Sequence, residues 1–140
     1  MPSRAAPNGG PDGEPPAMHI GEVAARTELS LRSLRHWDEV GLLRPSGRTD
    51  GGFRLYTEAD VNKILLIRRM KPLGFTLEEM SAAMRDIDAL RSPEVDGGKT
   101  DARARLAKLL KEARERRENL VTRLAMADEF IDILSGEIPR

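Results

Sequence analysis

From Leu106 onward, side chains that could form one seam return at Leu110, Ala113, Arg117, Leu120, Leu124, Ala127, Ile131 and Leu134, in steps that alternate four and three. A 4-3 alternation held over four repeats keeps one stripe facing a partner helix. The pattern predicts one helix over about residues 101–135, roughly 50 Å long at ~1.5 Å per residue. A stripe of that length exceeds what a small domain can cover, so these nine positions are expected to form a coiled-coil homodimer with a second copy. Ala113 and Ala127 allow close approach. Arg117 interrupts the seam, either selecting register or packing its stem while its head reaches water.

With 140 residues and 39% apolar content, the rest of the chain has material for one further small core. Residues 1–17 hold five prolines and three glycines without apolar periodicity, and are expected to be a disordered tail that leaves Met18 as a plausible second start. Ile20, Val23 and Ala24 share one helical face that ends near Thr27-Glu28. Ser30 is placed to cap a second helix, which carries Leu31 and Leu34 inward and stops before Gly41. The Gly-rich stretch SGRTDGGFRLY reads as a hairpin or wing. Thr57-Glu-Ala-Asp60 opens a helix with Val61, Ile64, Leu65 and Ile67 inward, ending at Pro72-Leu-Gly74. Thr76-Leu-Glu-Glu79 repeats the device before Leu77, Met80, Met84 and Ile87. The expected fold is mainly α: a winged helix-turn-helix over 18–90, a linker at 91–100, the coiled-coil dimerisation helix at 101–135 and a short tail at 136–140.

Net charge is zero, yet residues 26–71 carry ten Lys/Arg against six Asp/Glu, an excess of four positive charges. Projected at ~100° per residue, residues 31–40 put Leu31, Leu34 and Trp37 on one side. Arg32 and His36 are centred on the other, with Arg35 and Glu39 flanking. Such donors on the second helix of a helix-turn-helix suit the major groove, where arginine binds guanine O6 and N7. The plain alternative is a solvated surface helix; the hairpin's Arg48 and Arg54 and the later Arg68, Arg69 and Lys71 add cations able to clamp phosphates beside a groove.

Residues 20–80 resemble the DNA-binding half of MerR-family bacterial transcription regulators. The likeness rests on the helix-turn-helix, the step Arg35-His36-Trp37, GLL-x-P, the wing G-aromatic-R-x-Y and the LGF-x-L-E element. It implies that Ser30, Arg32 and His36 lie on the DNA side, with Arg32 and His36 facing bases and Arg35 and Trp37 at the backbone edge. Arg48, Arg54 and Tyr56 would belong to the wing, and Lys71 would reach phosphate from a second corner. Trp37 can serve as pure core or as core with its indole N–H on a phosphate. Imidazole changes charge in the physiological range, so His36 would make binding pH-sensitive, and an unchanged affinity between mildly acid and mildly alkaline buffer would refute this. The family usually has a small, turn-permissive residue where Glu28 stands, which adds about 1 kcal/mol if that backbone is left-handed. The resemblance also implies an antiparallel pairing of the dimerisation helices, which spacing alone does not.

The implied function is a homodimeric regulator that binds double-stranded DNA at a pseudo-palindromic promoter site and distorts it, with RNA polymerase as a further partner at the promoter. An architectural DNA-bending, excisionase-like protein without a sensor is the alternative, and a protein-interaction module built on the long helix is a third reading. Cysteine is absent, and neither His19 nor His36 has metal-ligand spacing, so no metal or other cofactor is expected. No Gly-rich phosphate loop, HExxH or activated nucleophile points to an enzyme. Only Ser135–Arg140 follow the seam, so neither a cysteine metal loop nor a separate effector domain is expected. No secretory signal or ~20-residue apolar span is visible, which predicts a cytoplasmic protein.

Overall fold

The computed structural model describes residues 17–93 and 97–138, so most of the expected tail, the linker residues 94–96 and the last two residues lie outside it. Its elements are β1 (Met18–His19), α1 (Ile20–Thr27), α2 (Leu31–Glu39), β2 (Gly47–Arg48), β3 (Arg54–Tyr56), α3 (Glu58–Met70), a 3-10 turn (Lys71–Leu73), α4 (Leu77–Arg91) and α5 (Gly98–Glu137). Two compact units divide between Ser81 and Ala82, inside α4 and ahead of the stretch that composition marks as a linker.

Helix α1 starts at His19 without a side-chain cap, whereas α2, α3 and α4 each start where a side chain satisfies orphan N–H groups of the first turn. Ser30 Oγ accepts the Ser33 N–H at 3.0 Å and opens α2. Thr57 Oγ1 accepts the Asp60 N–H at 3.2 Å while Asp60 accepts the Thr57 N–H at 2.9 Å, a reciprocal box that opens α3. Thr76 and Glu79 repeat the exchange at 2.8 and 3.1 Å before α4. Asp60 is buried and has a second role: the same Oδ2 accepts the Ser46 N–H at 3.1 Å and the Ser46 hydroxyl at 2.6 Å. The loop that leads into the wing is thereby tied to the start of α3.

Between α1 and α2 the chain turns through Glu28, at φ 59° and ψ 33°. This is a left-handed conformation that costs a non-glycine residue roughly 1–2 kcal/mol. Arg68 of α3 braces the turn, donating from Nη1 to the Thr27 carbonyl at 2.5 Å and lying 3.5 Å from the Glu28 carboxylate. The three strands form one antiparallel sheet in the order β1-β3-β2, with Met18 opposite Tyr56 and Arg48 opposite Arg54. β1 is a two-residue strand, too short for any alternation to be visible beforehand. Val23, Leu34, Tyr56, Ile64 and Ile67 are essentially inaccessible and form the centre of this unit, with Trp37, Leu42, Leu43 and Val61 also buried. Leu31 and Leu77, expected inside, are over a third exposed: both occupy the first position of their helices, at the rim of the buried arc.

In the second unit, Arg105 of α5 grips Asp86 of α4 with two parallel bonds, Nη2 to Oδ1 at 2.8 Å and Nε to Oδ2 at 3.0 Å. Hydrogen bonding to Arg105 outweighs burial and holds the Asp86 carboxyl below the usual carboxylate range. Lys99 Nζ donates to the Ser92 carbonyl at 2.5 Å. Helix α5 runs 40 residues, starting earlier and ending later than the seam predicts; at ~1.5 Å per residue it is about 60 Å long. Of the seam positions, Leu106, Ala113 and Leu120 are half-buried. Leu110, Arg117, Leu124, Ala127, Ile131 and Leu134 are exposed, as is every described residue from Val121 onward. Among the described residues no helix is long and apolar enough to cross a membrane.

Candidate nucleic-acid interface

Helix α2 carries most of the site. Its buried side is Leu34, Trp37 and Asp38, and its outward face presents Arg32, Arg35 and His36, all exposed. Trp37, on the apolar side with Leu31 and Leu34 in the sequence projection, is only 3% exposed. It lines an open depression of about 760 Å³ together with Arg32, Ser33, Arg35, His36, Glu39 and Lys71. Lys71, from the 3-10 turn after α3, stands with Nζ 5.9 Å from the Trp37 ring centroid, within cation–π range. The helix-turn-helix and the α3–α4 corner therefore bring four cation-capable side chains to one concave surface.

The carbonyl of Trp37 also ends the helix, accepting the Leu42 and Leu43 N–H groups at 2.9 and 3.2 Å. Gly41 supplies the reversal there with φ 78°. The chain then enters the wing, whose tip is closed by Thr49 N–H on the Phe53 carbonyl at 2.9 Å and Gly52 N–H on the Thr49 carbonyl at 2.8 Å. Gly52 takes φ 85°, which a side chain would oppose.

Arg48 and Arg54 do not stand free on the wing. Both guanidiniums converge on Asp38, Arg48 Nη2 at 2.6 Å and Arg54 Nε at 2.7 Å from Oδ2. Burial pushes the Asp38 carboxyl up, but the bonds and charges of Arg54 and Arg48 outweigh it and hold it below the usual carboxylate range. Tyr56, expected in the wing as a DNA-binding residue, lies on the wing strand β3 but is fully buried, with no partner for its hydroxyl among the described residues. Burial raises its phenol above the ordinary value. Its role here is to pack the wing onto the core. Ser30 serves as the N-cap, its hydroxyl also bonded to Ser33 Oγ at 3.0 Å. Arg68, grouped beforehand with the phosphate clamps, is committed to the α1–α2 turn, while Arg69 is exposed.

Sequence reasoning missed Asp38. The signal was present: on a ~100° projection it falls between Leu31 and Leu34, and a carboxylate on an inward face must find cationic partners. His19 and His36 remain apart from any ligand set, and the described residues include no group of three or more His, Asp or Glu able to hold a metal.

Helix-turn-helix, wing and long terminal helix together define the architecture of a winged helix-turn-helix regulator. Residues 18–87 match the family described as "MerR HTH family regulatory protein". The chain is 31% identical over 131 residues to the HTH-type transcriptional regulator CueR of Salmonella typhi, covering 85% of this chain and 93% of that one. The chain belongs to the MerR family of helix-turn-helix regulatory proteins. It is also 42% identical over 71 residues to the nodulation protein NolA of Bradyrhizobium elkanii, across 51% of this chain and 32% of NolA. It spans between 27% and 48% of the length of NolA and two further curated relatives. Among solved structures, that of HiNmlR, described as a MerR family regulator lacking the sensor domain and bound to promoter DNA, is similar in fold. The TM-score is 0.59 at 20% identity, over 86% of each chain.

Proposed function

We propose that this chain is a sequence-specific DNA-binding transcription regulator that works as a homodimer on a pseudo-palindromic promoter site. The observation that carries the reading is the set of exposed Arg32, Arg35 and His36 on the outward side of a capped α2, with Lys71 on the lip of the same concavity. Arg32 and His36 read base edges in the major groove, while Arg35, Lys71 and the wing arginines contact phosphate on either side. HiNmlR, similar in fold, is described as a MerR family regulator bound to promoter DNA.

Dimer formation follows from α5. Its exposed Leu110, Leu124, Ile131 and Leu134 lack a cover among the described residues, and a second copy of the helix supplies one. Charge argues for antiparallel pairing. Between Gly98 and Arg123 the helix has nine Lys/Arg and four Asp/Glu, whereas Leu124 to Glu137 has four Asp/Glu and no base. Antiparallel partners set the basic half against the acidic half; parallel partners would set like against like. Two α2 helices at a fixed separation then engage successive grooves, and distortion of the promoter, where RNA polymerase binds, costs several kcal/mol that phosphate contacts supply.

The test is an anisotropy titration of operator fragments selected from genomic DNA by the purified chain, with light scattering on the same samples. A dimer with specific binding at least ~10³-fold tighter than random duplex at physiological salt is expected, and Arg32→Ala lowers operator affinity about tenfold. Equal binding to operator and random duplex would favour the architectural role, and a monomer, or no binding at low salt, would end the proposal.

A further inference from the structure

Of the two acidic side chains on α2, Glu39 is exposed and Asp38 is buried. A single oxygen of Asp38 accepts from both strands of the wing, from Arg48 Nη2 on β2 at 2.6 Å and from Arg54 Nε on β3 at 2.7 Å. These two arginines face one another in the β2–β3 register. Arg48 Nη1 reaches onward to the Gly52 carbonyl at 3.3 Å, so the same network includes the turn at the wing tip. Arg54 is held through Nε, which leaves both terminal nitrogens of its planar fork outside that bond. The Arg48 side chain is 45% exposed and that of Arg54 23%, so both retain surface that a ligand can reach.

We propose that Asp38 is a positioning residue for DNA binding: it fixes the guanidiniums of Arg48 and Arg54 relative to the outward face of α2, so that helix and wing meet the duplex as one rigid body. The inference rests on the DNA-binding reading above. Phosphate is a competing acceptor for the same two guanidiniums, and a fork already oriented by a carboxylate loses less freedom when it adds a phosphate. Rigid placement matters for a protein that distorts DNA, because force applied at two points reaches the duplex only if the points cannot slip past one another. A carboxylate between two cations otherwise weakens attraction to a polyanion. Removing it therefore has opposite effects on two kinds of binding.

Asp38→Asn in the full chain, titrated against the selected operator and a random duplex of equal length over a range of salt, separates the two. Loss of positioning lowers the operator-over-random ratio about tenfold while binding to random duplex holds or strengthens, since one negative charge has gone. A solely structural role would instead weaken both duplexes together, in step with a lower melting temperature, and that result, or an unchanged ratio, overturns the proposal. Glu58→Gln, which breaks the exposed Arg26–Glu58 pair, whose members neither line the concavity nor bond Asp38, is expected to keep the wild-type ratio; an equal fall in that variant also overturns it. Should D38N fail to fold, D38E retains the charge but moves the carboxylate by one methylene, and is expected to lower the ratio about threefold; no change would overturn the proposal. Failure of the wild-type chain to bind any duplex would instead sink the functional reading.

Discussion

The first unit and the distal half of α5 treat their apolar side chains in opposite ways. In the first unit Val23, Leu34, Tyr56, Ile64 and Ile67 are sealed, and the buried carboxylates Asp38 and Asp60 each accept from several donors. Along α5, Leu124, Met126, Phe130, Ile131 and Ile133 are each more than half exposed. One region closes its apolar side chains within itself, and the other leaves them uncovered among the described residues. The difference teaches what each surface is free to do: a side chain that finds its partners within the chain stabilises the fold, whereas the uncovered stripe is the surface on which the proposed dimer rests.

The largest expected effect breaks that contrast at the seam. Replacing Leu124 and Ile131 together by Lys puts two charges on the exposed stripe, and sedimentation is expected to show a monomer whose operator affinity has fallen by a factor of about a hundred or more. The near-UV signal of Trp37 should hold, because its packing lies in the first unit; a change in that signal would mean that the two regions are not separable.

Next in size is Asp60→Ala, which strips a cap and both Ser46 bonds from one oxygen. Loss of about 2–3 kcal/mol in a denaturant titration is expected, since a cap is worth ~1 kcal/mol and the orphaned donors add to it. A loss below ~0.5 kcal/mol would show that Ser46 and Thr57 find other acceptors.

Acid sharpens the comparison differently, because both units hold a carboxyl lowered by arginine: Asp38 in the first and Asp86 in the second. A lowered group stabilises the fold fully above its ordinary, unfolded value, and that contribution is lost as pH falls through the lower folded value. Stability is therefore expected to be flat from neutral to mildly acid pH and to drop below the usual carboxylate range. In D38N the drop should shrink when followed by Trp37 fluorescence; an identical acid limb would show that the Asp38 bonds add nothing to folding.

The smallest expected effect is a gain. Glu28→Gly relieves the left-handed turn and is expected to add about 1 kcal/mol of stability. The exposed Arg68–Glu28 contact, at 3.5 Å, is too weak to offset that. A loss of stability would mean that Arg68 depends on the Glu28 carboxylate for its grip on Thr27.

Much of this was legible in residue order because the signals are local. Ser30, Thr57-Asp60 and Thr76-Glu79 are capping groups within one turn of the groups they satisfy, so spacing alone reveals them. The outward positions of Arg32, Arg35 and His36 follow from helical period. Other features needed elements distant in the chain to meet. β1 exists only because β3 lies beside it. Arg68 is 41 residues from the carbonyl it caps, and Tyr56 of the wing strand β3 is buried because the sheet packs against α1 and α3.

Sequence alone determined the helix periods, the capped starts, the seam of α5 and the side of α2 that carries cations, because each depends on neighbours within a few residues. Tertiary structure decided which cations are already anchored to a partner inside the fold. Arg48, Arg54 and Arg68 have the same chemistry as Arg32 and Arg35, yet the first two close on Asp38 and the third on Thr27. Charge in a sequence says what a side chain can bind; only the three-dimensional arrangement says what it has already bound.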